Sequence, residues 1–587
     1  MHRKKPFSAK QKKKQIQEKR KRKQDSGPGY LRGDIKVPVY VDDESNETVA
    51  SSVLKDVQKV NEQPKRNFDV NRYRLHFFQE DKEVVKARKE KAWQPYKKLA
   101  KEELEMEIAC DIGTSIEIPK RPPWKYGTPK RQLEANEERY FREYIERIFE
   151  EHSQDSLSYF EVNLETWRQL WRVLEMSDVF LIITDIRHPM MHFPPALYKH
   201  ITHDLNKSAI VVFNKVDLAP PSLVVAWQHF FKQRFPLVEV VCFSSFPKNK
   251  EDLQSMTTEI GKIVFKKRRR GTYRAMGPRE LYEMCQNIVE DEVDLSSWEK
   301  KIHLDQTEAS GIDDDTDESD QSDAPDEVEP ELAYQPRDKY KDGVLTIGCV
   351  GYPNVGKSSI INGLMGKKVV SVSKTPGHTK HFQTIYLTKT VRLCDCPGLV
   401  FPSHVDKNLQ ILGGIYPISQ VSDPFSVVGY VAERLDLPKL LRLKPVDEDA
   451  DPLTHKWSAL DICESWAQKR GFVTAKAARL DAYRSANHLL RIALEGRICL
   501  CFYPTGYWKN KEKWETCDET VAFIGLQNSY TKKAKSTSDA DDESAESSSE
   551  EEEEEENEGS QEGRQLKPKF DTESIVSSNP FALLVDD

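Results

Sequence analysis

The chain has 587 residues, 31% of them charged, a mean hydropathy of −0.68 and a formal net charge of −8. That length suits two or three domains, but so polar a composition excludes packed core throughout, and no apolar run of about 18 residues or signal-peptide core is present. Ten cysteines with no CxxC pair at zinc spacing speak against a disulfide or zinc scaffold, so the expectation is a soluble intracellular protein in a reducing compartment, with no membrane partner.

The charge is segregated. Residues 1–23 carry 12 Lys/Arg against one Glu, whereas 305–331 and 539–558 each carry 13 Asp/Glu and no basic residue. Setting these blocks (+11, −13 and −13) aside from the overall −8 leaves +7 on the remainder, so the pI of 6.1 describes the tails rather than the folded body. The basic start, with Lys19-Arg20-Lys21-Arg22-Lys23, is a nuclear address, an RNA-phosphate arm or a solvated tail. With only Phe7 among the lysines, base stacking is unsupported. Serines flanking the acidic tracts (Ser319, Ser322, Ser547 to Ser549) suit acid-directed kinases.

In chain order, residues 1–130 are polar and Lys-rich and read as largely disordered or loosely helical. Residues 131–300 begin with two amphipathic helical stretches, 136–151 and 160–175. Their apolar residues, such as Tyr144, Ile145, Trp167, Leu170 and Trp171, recur every three or four positions. The period then changes: 179–184, 209–213 and 238–243 are short β-branched runs of the kind found in buried parallel strands, and a helix over 222–235 completes a βαβ unit. Further helices are predicted near 251–265 and 278–290, followed by an acidic, disordered insertion at 301–335.

Residues 336–420 hold a strand over 344–350 that runs directly into Gly351-Tyr352-Pro353-Asn354-Val355-Gly356-Lys357-Ser358 and a helix. A GxxxxGKS loop between strand and helix aims backbone N–H groups and a helix N-terminus at phosphate. Asn354, Val355, Gly356, Ser358 and Ser359 are assigned to this nucleotide cradle, with Lys357 bridging the terminal phosphates and Ser358 binding Mg²⁺. A strand over 390–394 ends in Asp395-Cys396-Pro397-Gly398, which places Asp395 toward Mg²⁺ and the Gly398 N–H toward a γ-phosphate. Between the two motifs, Thr375-Pro-Gly-His-Thr379-Lys offers a switch threonine, and Thr379 is preferred as the Mg²⁺ ligand and catalytic switch residue.

Asn214-Lys215-Val216-Asp217 follows the 209–213 strand, at the carboxyl edge where parallel sheets bind ligands. Asp217 can accept from N1 and N2 of guanine, a pair of donors that adenine lacks, which disfavours an ATPase. Asn214 braces the loop, Lys215 covers the ring with its alkyl stem, and Ser244-Ser245 stand where a backbone amide would meet the guanine oxygen.

The order NKVD, Ser-Ser, GYPNVGKS, TPGHTK, DCPG is reversed relative to ordinary GTPases. It resembles the circularly permuted GTPases related to bacterial and nucleolar ribosome-assembly factors, over about residues 165–500, and Asp185-Ile-Arg187-His-Pro189 is similar to that family's D-A-R-x-P element. The resemblance implies an α/β fold: a permuted P-loop GTPase domain with a parallel sheet between helices. It further implies GTP/GDP and Mg²⁺ as ligands, and rRNA, pre-ribosomal particles or basic ribosomal proteins as partners of a chain that is monomeric outside complexes. The expected location is nucleus and nucleolus, with cytoplasmic shuttling. Leu399 stands where a Ras-type switch has its water-orienting glutamine, and Asn354 where potassium-activated relatives coordinate K⁺. Slow hydrolysis stimulated by K⁺ or a partner is therefore expected. The alternatives are an Asn354 that only shapes the loop and a signalling or scaffold protein that binds GTP but scarcely hydrolyses it.

Residues 421–530 read as a C-terminal helical module, with Trp457, Leu460, Cys463, Trp466 and Ala467 on one helix face and Ala478, Tyr483, Ala486, Leu489, Leu490 and Leu494 on another, before an acidic disordered tail at 531–587. Because the segment after Gly398 runs on into this module, the module is expected either to sense the switch or merely to cover a sheet edge.

Overall fold

The computed structural model describes residues 61, 77, 82–106, 116–125, 127–153, 156–245, 275–307, 339–373, 376–377, 379, 381–447, 454–474 and 479–535. The strands in chain order are β1 (Glu105–Met106), β2 (Val179–Asp185), β3 (Ser208–Asn214), β4 (Val238–Phe243), β5 (Leu345–Val350), β6 (Gln383–Thr388), β7 (Val391–Asp395) and β8 (Tyr503–Pro504). Counting helices longer than eight residues, α1 is Lys82–Ala92, α2 Lys130–Glu151, α3 Leu164–Met176, α4 Pro221–Arg234, α5 Pro278–Val289 and α6 Ser296–Thr307. They continue with α7 Lys357–Met365, α8 Pro424–Arg434, α9 Ala459–Arg470, α10 Ala482–Leu494 and α11 Asp518–Lys535.

Six strands form one sheet in the order β4-β3-β2-β5-β7-β6. All pairings are parallel except β6 with β7, which is antiparallel. The two halves of the permuted domain meet at the centre, where Val179 to Ile182 of β2 pair with Ile347 to Val350 of β5. Every residue of β2 and β5 is buried, as continuous apolar runs covered on both faces must be. Because these strands are parallel, Asp185, Asn214, Phe243, Val350 and Asp395 all lie at their carboxyl ends, on one edge. Strand β6 was not anticipated: its half-exposed, Thr- and Gln-containing sequence carries no core signal, and pairing with β7 is what makes it a strand.

Helix α3 is capped by the Asn163 side chain, which accepts from Glu165 N, and buries Trp167, Leu170 and Trp171 to 2% exposure or less. In the C-terminal part, α9 opens with a capping box between Ser458 and Asp461 and closes at Gly471, whose φ of 68° is the left-handed cap. Trp466, Ala486, Leu489 and Leu490 are buried as the periodicity implies, whereas Tyr483 is exposed.

One expectation needs correction. Residues 82–106 and 116–125, assigned to a largely disordered start, are packed: Tyr96 N donates to Trp457 O, Leu99 N to Glu433 O, and Trp171 Nε1 to Pro119 O. Glu105 and Met106 pair with Tyr503 and Pro504, and the Glu105 carboxylate accepts from the Gly506 and Trp508 amides. Apart from the Trp171 bond, which spans 52 positions, these contacts join residues about 330 to 400 positions apart, mostly through backbone groups, so hydrophobic periodicity carries no trace of them. The region from 421 onward is helical, as expected, and it packs on the nucleotide-binding domain. Trp227 Nε1 of α4 donates to Phe502 O, Ser222 Oγ and Tyr507 OH lie 3.0 Å apart, and α11 packs on α4. The helix expected at 251–265, Thr375 and Ala478 lie outside the described residues. Among the described residues no helix is long and apolar enough to cross a membrane.

Candidate functional site

The phosphate loop leaves β5 at Gly351 and enters α7 at Lys357. Gly356 requires glycine twice over: its φ is 103°, and a Cβ there would stand 2.2 Å from Asn214 Nδ2. Asn354, the residue preceding Val355, is also left-handed at φ 57°, a conformation asparagine tolerates better than most side chains. Lys357 is buried, and its Nζ donates to the carbonyls of Gly351 (3.1 Å) and Tyr352 (2.7 Å), which holds the ammonium inside the loop's concavity.

The guanine-reading motif abuts this loop directly. Asn214 at the end of β3 donates from Nδ2 to Val355 O (2.7 Å), and Lys215 Nζ donates to Asn354 O (2.9 Å) and to Asp185 Oδ2 (2.8 Å). Asn214 therefore braces the loop from beneath. Lys215, itself left-handed at φ 61°, crosses from one motif to the other with its stem only partly covered. Asp217 is half-buried and accepts from Ser244 Oγ (2.6 Å), an orientation that holds one carboxylate oxygen while leaving the group at the surface of the cleft. Ser244 and Ser245 are both buried, and Ser244 exchanges backbone hydrogen bonds with Met276.

On the other side of the phosphate loop, Asp395 is fully buried, and its Oδ2 accepts from Ser358 Oγ (2.8 Å) and from Gln383 Nε2 (3.4 Å), while its Oδ1 has no hydrogen-bond partner. Burial pushes the Asp395 carboxyl up, against the opposing pull of Lys357, and burial pushes the Lys357 ammonium down against the pull of Asp395. Both groups are thus driven toward neutrality by desolvation. A phosphate beside Lys357 and a divalent cation beside Asp395 would each favour the charged form, so the donor set fits a nucleotide with Mg²⁺. Mg²⁺ in such sites takes one or two protein oxygens together with phosphates and waters. Among the described residues no group of three or more His, Cys, Asp or Glu side chains could hold a metal.

Gly398 touches the phosphate loop, and a Cβ on it would stand 2.7 Å from Pro353 Cα and 3.1 Å from Lys357 Nζ. Leu399 is 1% exposed, and its amide donates to Gly351 O. Thr379 is half-buried, with no contact that assigns it a ligand role. The Asn354 amide nitrogen donates to Gly414 O (2.8 Å). Ser359 is half-buried in the first turn of α7. Sequence reasoning missed Gln383, whose only signal is its place four residues after Thr379. It also gave no role to Asp185 and Arg187, which form a buried ion pair (2.8 Å) against Lys215.

The chain is similar to several known proteins. A family model described as 50S ribosome-binding GTPase matches residues 346–431. Guanine nucleotide-binding protein-like 1 of Homo sapiens is 48% identical over 545 residues, covering 90% of each chain, and that of Mus musculus is 48% identical over 544 residues, covering 89% of each. Large subunit GTPase 1 homolog of Bos taurus is 33% identical over 441 residues, 66% of this chain and 67% of its own. The solved structure of GNP-bound YlqF from T. maritima is similar at 16% identity and a TM-score of 0.31, covering 58% of this chain and 98% of its own.

Proposed function

Because the chain belongs to the guanine nucleotide-binding protein-like 1 family of GTPases, we propose that its permuted domain holds GTP with Mg²⁺, hydrolyses it slowly on its own, and is accelerated by K⁺ or by a partner during ribosome assembly. The observation that carries the nucleotide reading is the β2–β5 pairing, which brings NKVD and GYPNVGKS to one sheet edge and joins them through the 2.7 and 2.9 Å bonds of Asn214 and Lys215. In this reading Asp217 reads guanine and Asn214 and Lys215 support it. Ser244 and Ser245 flank the base, and Asn354 to Ser359 cradle the phosphates. Ser358, Asp395 and Thr379 hold Mg²⁺, which when bound offsets charge on the phosphate oxygens. Lys357 holds the terminal phosphates and Gly398 meets the γ-phosphate.

Slow hydrolysis is supported by Leu399: a buried alkyl group can neither donate to nor accept from an attacking water. A K⁺ beside Asn354 would supply charge otherwise brought by an arginine finger; the Asn354 amide nitrogen itself donates to Gly414 O. The ribosomal role draws on the 50S ribosome-binding description of the matching family model and on the large subunit GTPase relative, and the basic start supports a nuclear or nucleolar location. A second reading, a scaffold that binds GTP with negligible turnover, is favoured by the same Leu399. Single-turnover GTP hydrolysis in NaCl and KCl buffers, with and without large-subunit precursors, separates them. The assembly reading expects a rise with K⁺ or particles, and the scaffold reading expects neither.

A further inference from the structure

Asp185 ends β2 and Arg187 lies two residues beyond it, both inside the protein at 1% and 2% exposure. The guanidinium forks onto the carboxylate, with Nε to Oδ1 at 3.0 Å and Nη2 to Oδ2 at 2.8 Å. Burial alone would push the Asp185 carboxyl up, but Arg187 and Lys215 hold it well below its usual range, so the pair is charged. Its outer bonds have different destinations. Asp185 Oδ2 also accepts from Lys215 Nζ, which donates onward to Asn354 O in the phosphate loop. Arg187 Nη1 donates to Ala493 O at the end of α10 (3.0 Å), and Arg187 O accepts from Phe502 N (2.9 Å).

A second route joins the same two places. Asn354 Nδ2 donates to Gly414 O, and Gly414 lies so close to Leu494 that a Cβ on it would stand 2.5 Å from Leu494 Cδ1. The end of α10 is therefore fastened to Asn354 twice, once through Lys215, Asp185 and Arg187 and once through Gly414. The segment that follows lies along the base-reading loop: a Cβ on Gly496 would stand 2.7 Å from Leu218, and Cys501 Sγ lies 3.9 Å from Leu218 O.

We propose that Arg187 is a positioning residue that makes docking of the α10 end and the 495–502 strap part of guanine-nucleotide binding. Acting through Asp185, it sets the direction of Lys215. Opening the strap frees Lys215 from Asp185 and loosens the phosphate loop at Asn354, so nucleotide that needs both in place opposes opening. By reciprocity, a loosened strap weakens nucleotide binding by the same factor. The communication runs through the base-reading side and the Asp-x-Arg element, in addition to the chain connection after Gly398. This rests on the guanine-nucleotide reading of the site.

Hydrogen exchange of the full chain with and without GDP and Mg²⁺ tests it. With GDP at 100 times its Kd, amides of 351–358 and of 493–502, including Phe502, should both slow, by at least about 10-fold and at most about 100-fold, the linkage limit at that excess. Arg187→Lys keeps a charge for Asp185 but loses the fork and the bond to Ala493. It should weaken GDP about 10-fold and remove the GDP-dependent slowing at 493–502 while leaving that at 351–358. Should Arg187→Lys fail to fold, Leu494→Ala at the other fastening reports the same coupling through a twofold or larger loss of GDP affinity. Protection of 351–358 with 493–502 unchanged in the wild type overturns the proposal and spares the nucleotide site. If GDP protects neither segment, the nucleotide reading itself falls.

Discussion

Replacing Asp217 by Asn changes one atom in the cleft and is expected to change which base the protein binds. Ser244 Oγ holds Asp217 Oδ1 at 2.6 Å, so the carboxylate is already oriented before ligand arrives, and both oxygens are acceptors for N1–H and the N2 amino group of guanine. The amide turns one acceptor into a donor. One hydrogen bond to a charged group is lost, about 1.5–3 kcal/mol, and a donor is left facing a donor in a half-buried site, a further cost of about 1–3 kcal/mol. Together these correspond to roughly 10²–10⁴-fold weaker GDP. Xanthine carries a carbonyl where guanine carries its amino group, so the amide donor is satisfied and preference should move to xanthosine diphosphate. Competition titration of a fluorescent nucleotide with GDP and xanthosine diphosphate measures both effects, and melting curves check that the variant is folded. A folded Asp217→Asn protein that binds GDP within threefold of the wild type, with no gain for the xanthosine nucleotide, would refute the assignment of this loop to the base.

Three further substitutions probe the phosphate side. Gly398→Ala drives a methyl into the backbone of Pro353 and toward Lys357 Nζ, so GTP affinity and hydrolysis should fall at least about 10-fold while GDP affinity changes little; equal losses for both nucleotides would place Gly398 in the loop's structure rather than at the γ-phosphate. Leu399→Gln, which would restore a water-orienting side chain on paper, should instead lower the melting temperature, since burying an unpaired amide at a 1%-exposed position costs about 1–3 kcal/mol. No gain in turnover is expected, and a tenfold faster variant would show that this side chain can leave the core. His192 is buried, and that burial holds its imidazole down at about 3, with Asp185 opposing the shift and Lys215 and Arg187 adding to it. The folded protein keeps it neutral while the unfolded chain takes up a proton below its ordinary 6.5. Stability is therefore full above that value and declines by about 1.4 kcal/mol per pH unit as pH falls from about 6.5 toward 3. His192→Leu should flatten the fall in melting temperature between pH 7.5 and 5.5, and an unchanged slope would shift the cause to other groups such as His188, which burial also pushes down.

What was legible in the chain is what depends on neighbours in sequence. Short, continuous apolar runs placed β2, β3, β4, β5 and β7, a period of three to four placed helices such as α3, α9 and α10, and the phosphate-loop motif placed the start of α7. The motifs declared a guanine-nucleotide site because loop geometry, helix terminus and side-chain chemistry sit within a few residues of one another. Tertiary structure alone decided the rest. Residues 82–106 and 116–125 looked like polar tail because hydrogen bonds to distant backbone groups, such as those of the Glu105 carboxylate, help to hold them and leave no hydrophobic pattern. Strand β6 exists only because β7 offers it an edge, and Leu399 became a core residue only when the chain after Gly398 turned inward. Most of all, Arg187 meets Ala493 across 306 positions, and Asn354 meets Gly414 across 60. A residue's chemistry can be read in place, but which buried charge it neutralises depends on where the chain returns, and that is settled by packing.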